Sequence, residues 1–532
     1  MFSGTPRLLV RMFLCQDRRM AIPITDASHQ PPKASPLVLW LALLEVGLHL
    51  ATATRYGIFR DELYCIACAR HLDFGYVDHP PLIAVTTWLV LHLFGSSLLA
   101  LRLLPALASG LLVWMTGRIA FEWGGGRFAQ GMAALAIIPV PIYLILQHWL
   151  TMNAFEPLFW TGVLWAASRL ILRQEPRYWL VIGLLVGIGL ENKYSMLFLA
   201  GVLVFGLLLT PERRWLANRH FVSALVIAVL LFLPNLVWLV HHDFPFLEFE
   251  RNSRQSGSRI LRGPVSFLWD QALIMNPVLA PLWLTGLVSL FLRRAQSFRF
   301  IGWAVCLLLA LLVGIQAKNY YVAPIYPVLF VAGALAFERF TASSRLWMRP
   351  AYAFVIVLSG LLLSPLVMPL LSVPHLLAYQ RLWNGFTPVV FEDEPARPLP
   401  QYFADEFGWE DMARETGKVY AQLPEATKST TAIFTNDYGQ ASAIDFFGPR
   451  YGLPPSISKA ETFWLWGPRN YTGSTVIVLG SNGKGDHEFF RTVEAVGRVN
   501  DSYSRADERF EIFLCRDMHP ELQILWPKIK AW

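Results

Sequence analysis

The feature that most restricts this chain is a succession of long apolar runs joined by short links that carry arginine. A helix needs about 20 mostly apolar residues to cross a bilayer. Runs near that length fall at 37–54, 97–118, 128–147, 153–172, 178–191, 195–210, 221–240, 270–292, 300–316, 322–341 and 350–371. Only 16% of the residues are charged and 55% are hydrophobic, whereas about a quarter of a soluble domain is charged. The pattern therefore predicts a multi-pass α-helical membrane protein with about eleven spanning helices. The run Pro80–Phe94 opens on two prolines, which suit a first helical turn. It is too short for a full crossing and reads as an interfacial helix lying on the membrane surface.

Threading the runs with the N-terminus in the cytosol puts Arg118 and Arg127, then Arg169, Arg173 and Arg177, then Arg213, Arg214 and Arg219 on the cytosolic side. Arg293, Arg294, Arg299, Arg339, Arg345 and Arg349 land there too, as the positive-inside rule requires. The net charge of +7 is thus a topology signal, and nucleic acid is not an expected partner. Residues 1–36, with Arg7, Arg11, Arg18 and Arg19, read as a cytosolic segment before an uncleaved first span. Residues 37–372 form the transmembrane domain, with long external loops at 55–96 and 241–269. From Val373 the composition turns polar. An odd number of spans places 373–532 outside as a small extracytoplasmic α/β domain, with strands at Thr431–Thr435, Thr475–Leu479 and Phe510–Leu514 and a helix at Tyr438–Phe447. The five cysteines are too few and scattered for a disulfide framework or a four-ligand zinc site, so Cys65 and Cys68 read as helix packing.

Chemistry is expected in the external loops. The first holds Arg60-Asp61-Glu62 and Asp78-His79-Pro80-Pro81. Transfer of a sugar to a hydroxyl needs a base for the acceptor proton and positive charge at the departing phosphate. A carboxylate beside the membrane surface supplies the first, although an isolated Asp-Glu pair in a wet loop is more often merely solvated. Lys193 and Lys318 fall at external bends, on the side where lysine is disfavoured, and supply the second; snorkelling to water is the bland alternative. Within the first span Glu45 and His49 lie one turn apart and are read as neutralising each other or as functional.

The first-loop residues resemble the motif of polyprenyl-phosphate-sugar-dependent glycosyltransferases with the GT-C fold, above all the superfamily of protein O-mannosyltransferases and lipid A aminoarabinose transferases. The likeness covers about residues 37–340 and is most specific in the first loop. It implies that Asp61 holds the catalytic acidic position with Glu62 as its supporting neighbour. It further implies that Asp78 matches an acid that coordinates a divalent metal in some relatives. His79 stands where relatives often carry a basic residue and is a candidate for phosphate binding. His242, in His241-His242-Asp243, is a candidate partner for Asp78 in a zinc, manganese or magnesium site. Asn153 stands where many relatives have an acid, and Glu156 is placed to substitute from the next turn. Arg251, Arg254, Arg259 and Arg262 are candidates for a phosphate-binding surface.

The expectation is an integral-membrane glycosyltransferase moving a sugar from a polyprenyl-phosphate carrier to a lipid, protein or envelope-glycan acceptor, with its site on the extracytoplasmic face of a bacterial inner membrane. The alternatives are a transporter or flippase of lipid-linked saccharides, for which paired halves or broken mid-membrane helices are the usual sign, and a non-catalytic scaffold.

Overall fold

The computed structural model describes residues 33–255, 260, 262–391 and 398–531. The N-terminal arginines, Cys15 and Arg259 lie outside the described residues.

Every apolar run of the sequence lies on a helix or on a broken pair of helices. Among the described residues five helices are long and apolar enough to cross a membrane: Leu98–Glu122, Arg219–His241, Ala295–Gly314, Asn319–Phe340 and Met348–Val367. Two further crossings arise if each sharply bent pair counts as one, Met196–Leu208 with Pro211–Ala217 (118°) and Pro264–Ile274 with Pro277–Phe291 (99°). Proline explains the breaks, because it lacks the amide hydrogen that continues a helix. Pro211 and Pro277 open the second member of each bent pair, and Pro141 opens the short helix Pro141–Leu146 that divides the run 128–147. The result is a multi-pass helical membrane protein. Lipid-facing surface is plainest on Arg219–His241, which exposes Val222, Leu225, Val226, Val229 and Leu230. Helix Leu82–Phe94 has 13 residues, about 20 Å at 1.5 Å per residue, against a hydrocarbon core of about 30 Å.

Between apolar helices in lipid, close packing replaces the hydrophobic drive, and small residues permit it. Gly286, on Ala280–Phe291, and Gly333, on Tyr326–Phe340, form such a pair. A Cβ on Gly286 would sit 2.1 Å from the Leu329 carbonyl oxygen, and one on Gly333 would sit 2.1 Å from that of Leu282.

The C-terminal part builds a five-stranded sheet of β1 (Thr431–Thr435), β2 (Ile457–Ser458), β3 (Thr475–Leu479), β4 (Phe490–Arg498) and β5 (Glu511–Met518), in the order β2-β1-β3-β5-β4. β1 pairs in parallel with β2 and β3; β5 runs antiparallel to β3 and β4. The strands expected at 431–435 and 475–479 and the helix at 438–447 stand at those residues, and the strand expected at 510–514 falls in β5 from Glu511 onward. β4 went unread because its side chains are mostly exposed or half-buried, so it shows no apolar run.

The first long loop is not a wet connector. Residues Arg60–Arg70 form a helix whose Leu63, Tyr64, Cys65, Ile66, Ala67, Cys68 and Ala69 are all buried. Ile58, Leu63 and Ile66 share one apolar core with Trp409, Ile433, Ile444, Ile477 and Leu514 of the C-terminal part. Burying a side chain such as Leu or Ile contributes about 1.5–3 kcal/mol, so this core holds the loop and the domain together. Cys65 is a free buried thiol within it, and Cys68 is a free buried thiol in a neighbouring cluster with Tyr64, Tyr76 and Phe463.

Candidate active site

Helix Arg60–Arg70 begins at Phe59, whose amide donates to the Glu62 carboxylate at 3.0 Å. Glu62 lies in the first turn, where an acid satisfies an otherwise unpaired amide and suits the positive helix end. Glu62 is fully buried and also accepts from the Leu150 amide (3.0 Å) and from Arg102 Nε (3.2 Å) and Nη2 (2.9 Å). Arg102 itself sits near the start of helix Leu98–Glu122 with 1% of its surface exposed. It donates further to the carbonyls of Ala53 (2.8 Å) and Gly57 (2.9 Å) and to Glu406 (3.1 Å). Trp149 adds an indole N–H to Glu406 at 3.3 Å and stacks on Phe59 with ring centroids 3.7 Å apart. Burial drives the Glu406 carboxyl up to about 7, with Arg102 opposing. Glu62 is therefore the anchor of the helix that carries Asp61.

Asp61 points the other way. Its side chain remains partly open, and Oδ1 accepts the Tyr438 hydroxyl at 2.8 Å. Surrounding protein raises its pKa above the ordinary carboxylate value, Arg60, the Tyr438 hydrogen bond and Lys318 pull it down, and Asp78 pushes it up. Asp78 is held by the Tyr64 hydroxyl at 3.0 Å, and Tyr64 is in turn 2.7 Å from the Thr462 hydroxyl. His79 is 2% exposed; its Nδ1 lies 2.8 Å from the Pro80 carbonyl and its Nε2 3.8 Å from Cys68 Sγ and 3.9 Å from Asp78. Its ring thus faces protein.

The two lysines flank one turn. Lys193 directs Nζ to Asn153 (2.8 Å) and Glu156 (2.7 Å), so both positions singled out near 153–156 engage it. The same ammonium lies 4.5 Å from the ring centre of Tyr321 and 5.5 Å from that of Tyr320. These rings follow Lys318-Asn319 in the chain, so Lys193 packs against the turn that Lys318 opens. Asn319 fixes that turn by bonding Asp270 at 3.0 Å, and Asp270 is also paired with Arg262. Lys318 also acts electrostatically on Asp61, which brings the base candidate near the same turn.

His242 is exposed, its Nδ1 2.8 Å from the Trp238 carbonyl and its ring stacked on Trp238. Trp238 in turn donates to Asp73 at 2.8 Å, so His242 and Asp78 have separate partners. Among the described residues no group of three or more His, Cys, Asp or Glu side chains is arranged to hold a metal ion. Inside the first span, His49 Nε2 lies 3.3 Å from Glu45, which also accepts from Ser109 at 2.8 Å. The one-turn spacing thus brings the two side chains together.

Arg102, Glu406, Tyr64, Asp437, Tyr438 and Thr462 were not read from the sequence as parts of the site. A signal existed for Arg102, an ionisable residue inside an apolar run. For the others there was none, since Asn436-Asp437-Tyr438-Gly439 reads as an ordinary turn.

The described backbone has the GT-C fold that the first-loop residues pointed to. ArnT from Cupriavidus metallidurans bound to undecaprenyl phosphate superposes with a TM-score of 0.59 at 13% identity, over 91% of this chain and 98% of that one. The same protein in the apo state gives 0.57. Residues 78–238 match the family model of dolichyl-phosphate-mannose-protein mannosyltransferases, so the resemblance to polyprenyl-phosphate-sugar-dependent enzymes holds in sequence as well as in fold. Over 212 residues the chain is 29% identical to the lipid A galacturonosyltransferase RgtD of Rhizobium johnstonii, covering 39% of this chain and 43% of that protein. Over 209 residues it is 28% identical to the lipopolysaccharide core galacturonosyltransferase RgtA of the same organism, covering 38% and 41%. The chain spans about two fifths of the length of these curated relatives.

Proposed function

We propose that this protein is a glycosyltransferase that moves a sugar from a polyprenyl-phosphate carrier to a lipid acceptor of the cell envelope, with its site on the extracytoplasmic face of a bacterial inner membrane. The observation that carries the reading is a partly open carboxylate, Asp61, fixed at a helix start and acted on by Lys318, which opens the turn that Lys193 packs against. Asp61 takes the proton of the acceptor hydroxyl as its oxygen forms the new bond to the anomeric carbon. The bond from that carbon to the carrier phosphate breaks, and the lysines stabilise the charge left on phosphate. Asp78 orients the donor or the acceptor. The undecaprenyl phosphate bound by ArnT supports the carrier class. The lipid A and lipopolysaccharide-core relatives support a lipid acceptor and make a uronic acid the first sugar to try. With the short arginine-bearing links between spans assigned to the cytosol, as the positive-inside rule asks, the first loop and the sheet domain lie outside.

The test is radiolabelled transfer from a panel of undecaprenyl-phosphate sugars, galacturonic acid first, into lipid acceptors. Asp61→Asn should lower kcat by at least about 10²–10⁴-fold, the range of a general base, with the protein folded and carrier still bound. Lys318→Ala should raise donor KM. Full activity of Asp61→Asn removes the mechanism.

A further inference from the structure

The sheet domain reaches the candidate base directly. Asp437 caps helix Tyr438–Phe447 by accepting from the Gly439 amide at 2.7 Å, and its other carboxylate oxygen takes Arg60 at 2.5 Å. The Arg60 guanidinium lies 4.3 Å from the centre of the Tyr438 ring, and the Tyr438 hydroxyl donates to Asp61 Oδ1. The Arg60 amide donates to the Asp405 carbonyl at 3.0 Å, tying the same helix start to the segment that leads into the domain. Asp78 is held from the same side through Tyr64 and Thr462.

We infer that Tyr438 is a positioning residue for Asp61: its hydroxyl occupies Oδ1 and leaves Oδ2 turned to the acceptor, which makes the C-terminal domain a working part of the transfer site. The inference rests on the glycosyl-transfer reading. A carboxylate that is free to spin about its last torsion offers either oxygen, whereas one pinned through Oδ1 offers a single lone-pair direction. Among the described residues Oδ2 accepts no hydrogen bond. The phenol also stabilises the charged base where burial works against it. Around Asp61 the other charged and titratable groups are Arg60 and Cys65 on its own helix, Asp78 from the same loop, Lys318 from the second lysine turn and Glu461 from the sheet domain. Of these Arg60 and Lys318 favour the charged form, as Tyr438 does.

Tyr438→Phe keeps the ring under Arg60 and deletes only the donor. In transfer from undecaprenyl-phosphate galacturonate to lipid A, its acid limb in kcat/KM should move up by about one pH unit, the scale of one lost charge-assisted hydrogen bond. Donor KM should stay unchanged. Asp61 is also read without any substrate, as the protonated-carboxyl infrared band lost between each protein and its Asp61→Asn counterpart; that titration should rise by the same amount in Tyr438→Phe. If Asp61→Asn is inactive and Tyr438→Phe has the wild-type limb and the wild-type band, the inference fails while the glycosyl-transfer reading stands. If Asp61→Asn remains active, the reading falls. The infrared titration then judges the contact alone, and an unshifted band overturns it.

Discussion

Replacing Arg102 by methionine tests how the first loop is held. The guanidinium is buried and serves two carboxylates, Glu62 and Glu406, and two carbonyls, Ala53 and Gly57. Methionine fills a similar length but leaves two acids without their counter-charge. Removing one partner of a buried pair costs about 3–5 kcal/mol, much of it the stranded charge itself. Arg102→Met should therefore lower stability by about 3–5 kcal/mol, and Arg102→Met/Glu62→Gln/Glu406→Gln should recover part of the loss. Glutamine removes the charge and keeps one carbonyl acceptor, enough for Trp149 at position 406 but for only one of the Phe59 and Leu150 amides at position 62. The pH dependence follows from Glu406, whose folded pKa of about 7 lies above the unfolded value of about 4.3. A group raised in this way contributes most below its unfolded pKa and loses its contribution as pH rises through the folded one. Wild type stops losing near pH 7, whereas the variant, with Glu406 driven higher, goes on losing. The gap between them should widen above about pH 7. The assay is the unfolding midpoint in mixed detergent micelles at several pH values. A single variant within about 0.5 kcal/mol of wild type, or a triple variant no better than the single, would refute the argument.

Two further predictions test the coupling of the parts. Gly57→Ala would place a Cβ 2.0 Å from the Glu406 carbonyl oxygen, so the segment at 405–406 must move. A loss of about 1–3 kcal/mol and faster proteolysis between the helical part and the sheet domain are expected. Lys193→Met strands the buried Glu156; adding Glu156→Gln should restore the melting midpoint but leave donor KM raised, which separates the lysine's packing role from phosphate binding.

The helical, multi-pass nature of the chain was legible because every apolar run has to be matched to lipid or to another apolar surface, and run length alone sets that demand. The strands at 431–435 and 475–479 were legible for a like reason: both are buried on two faces and read as unbroken apolar segments. Asp61, Lys193 and Lys318 stood out because charge at a membrane boundary needs a cause. Sequence could not show that Glu62 turns inward to Arg102 while its neighbour Asp61 turns outward, since adjacent residues on a helix face about 100° apart and only packing decides which side is buried. Nor could it bring Tyr438 to Asp61, 377 positions away, or His79 into the protein beside Cys68. Local pattern fixes which segments are apolar and which loops are charged. The pairing of one loop with one domain depends on how two folded surfaces fit, and that information exists only in three dimensions.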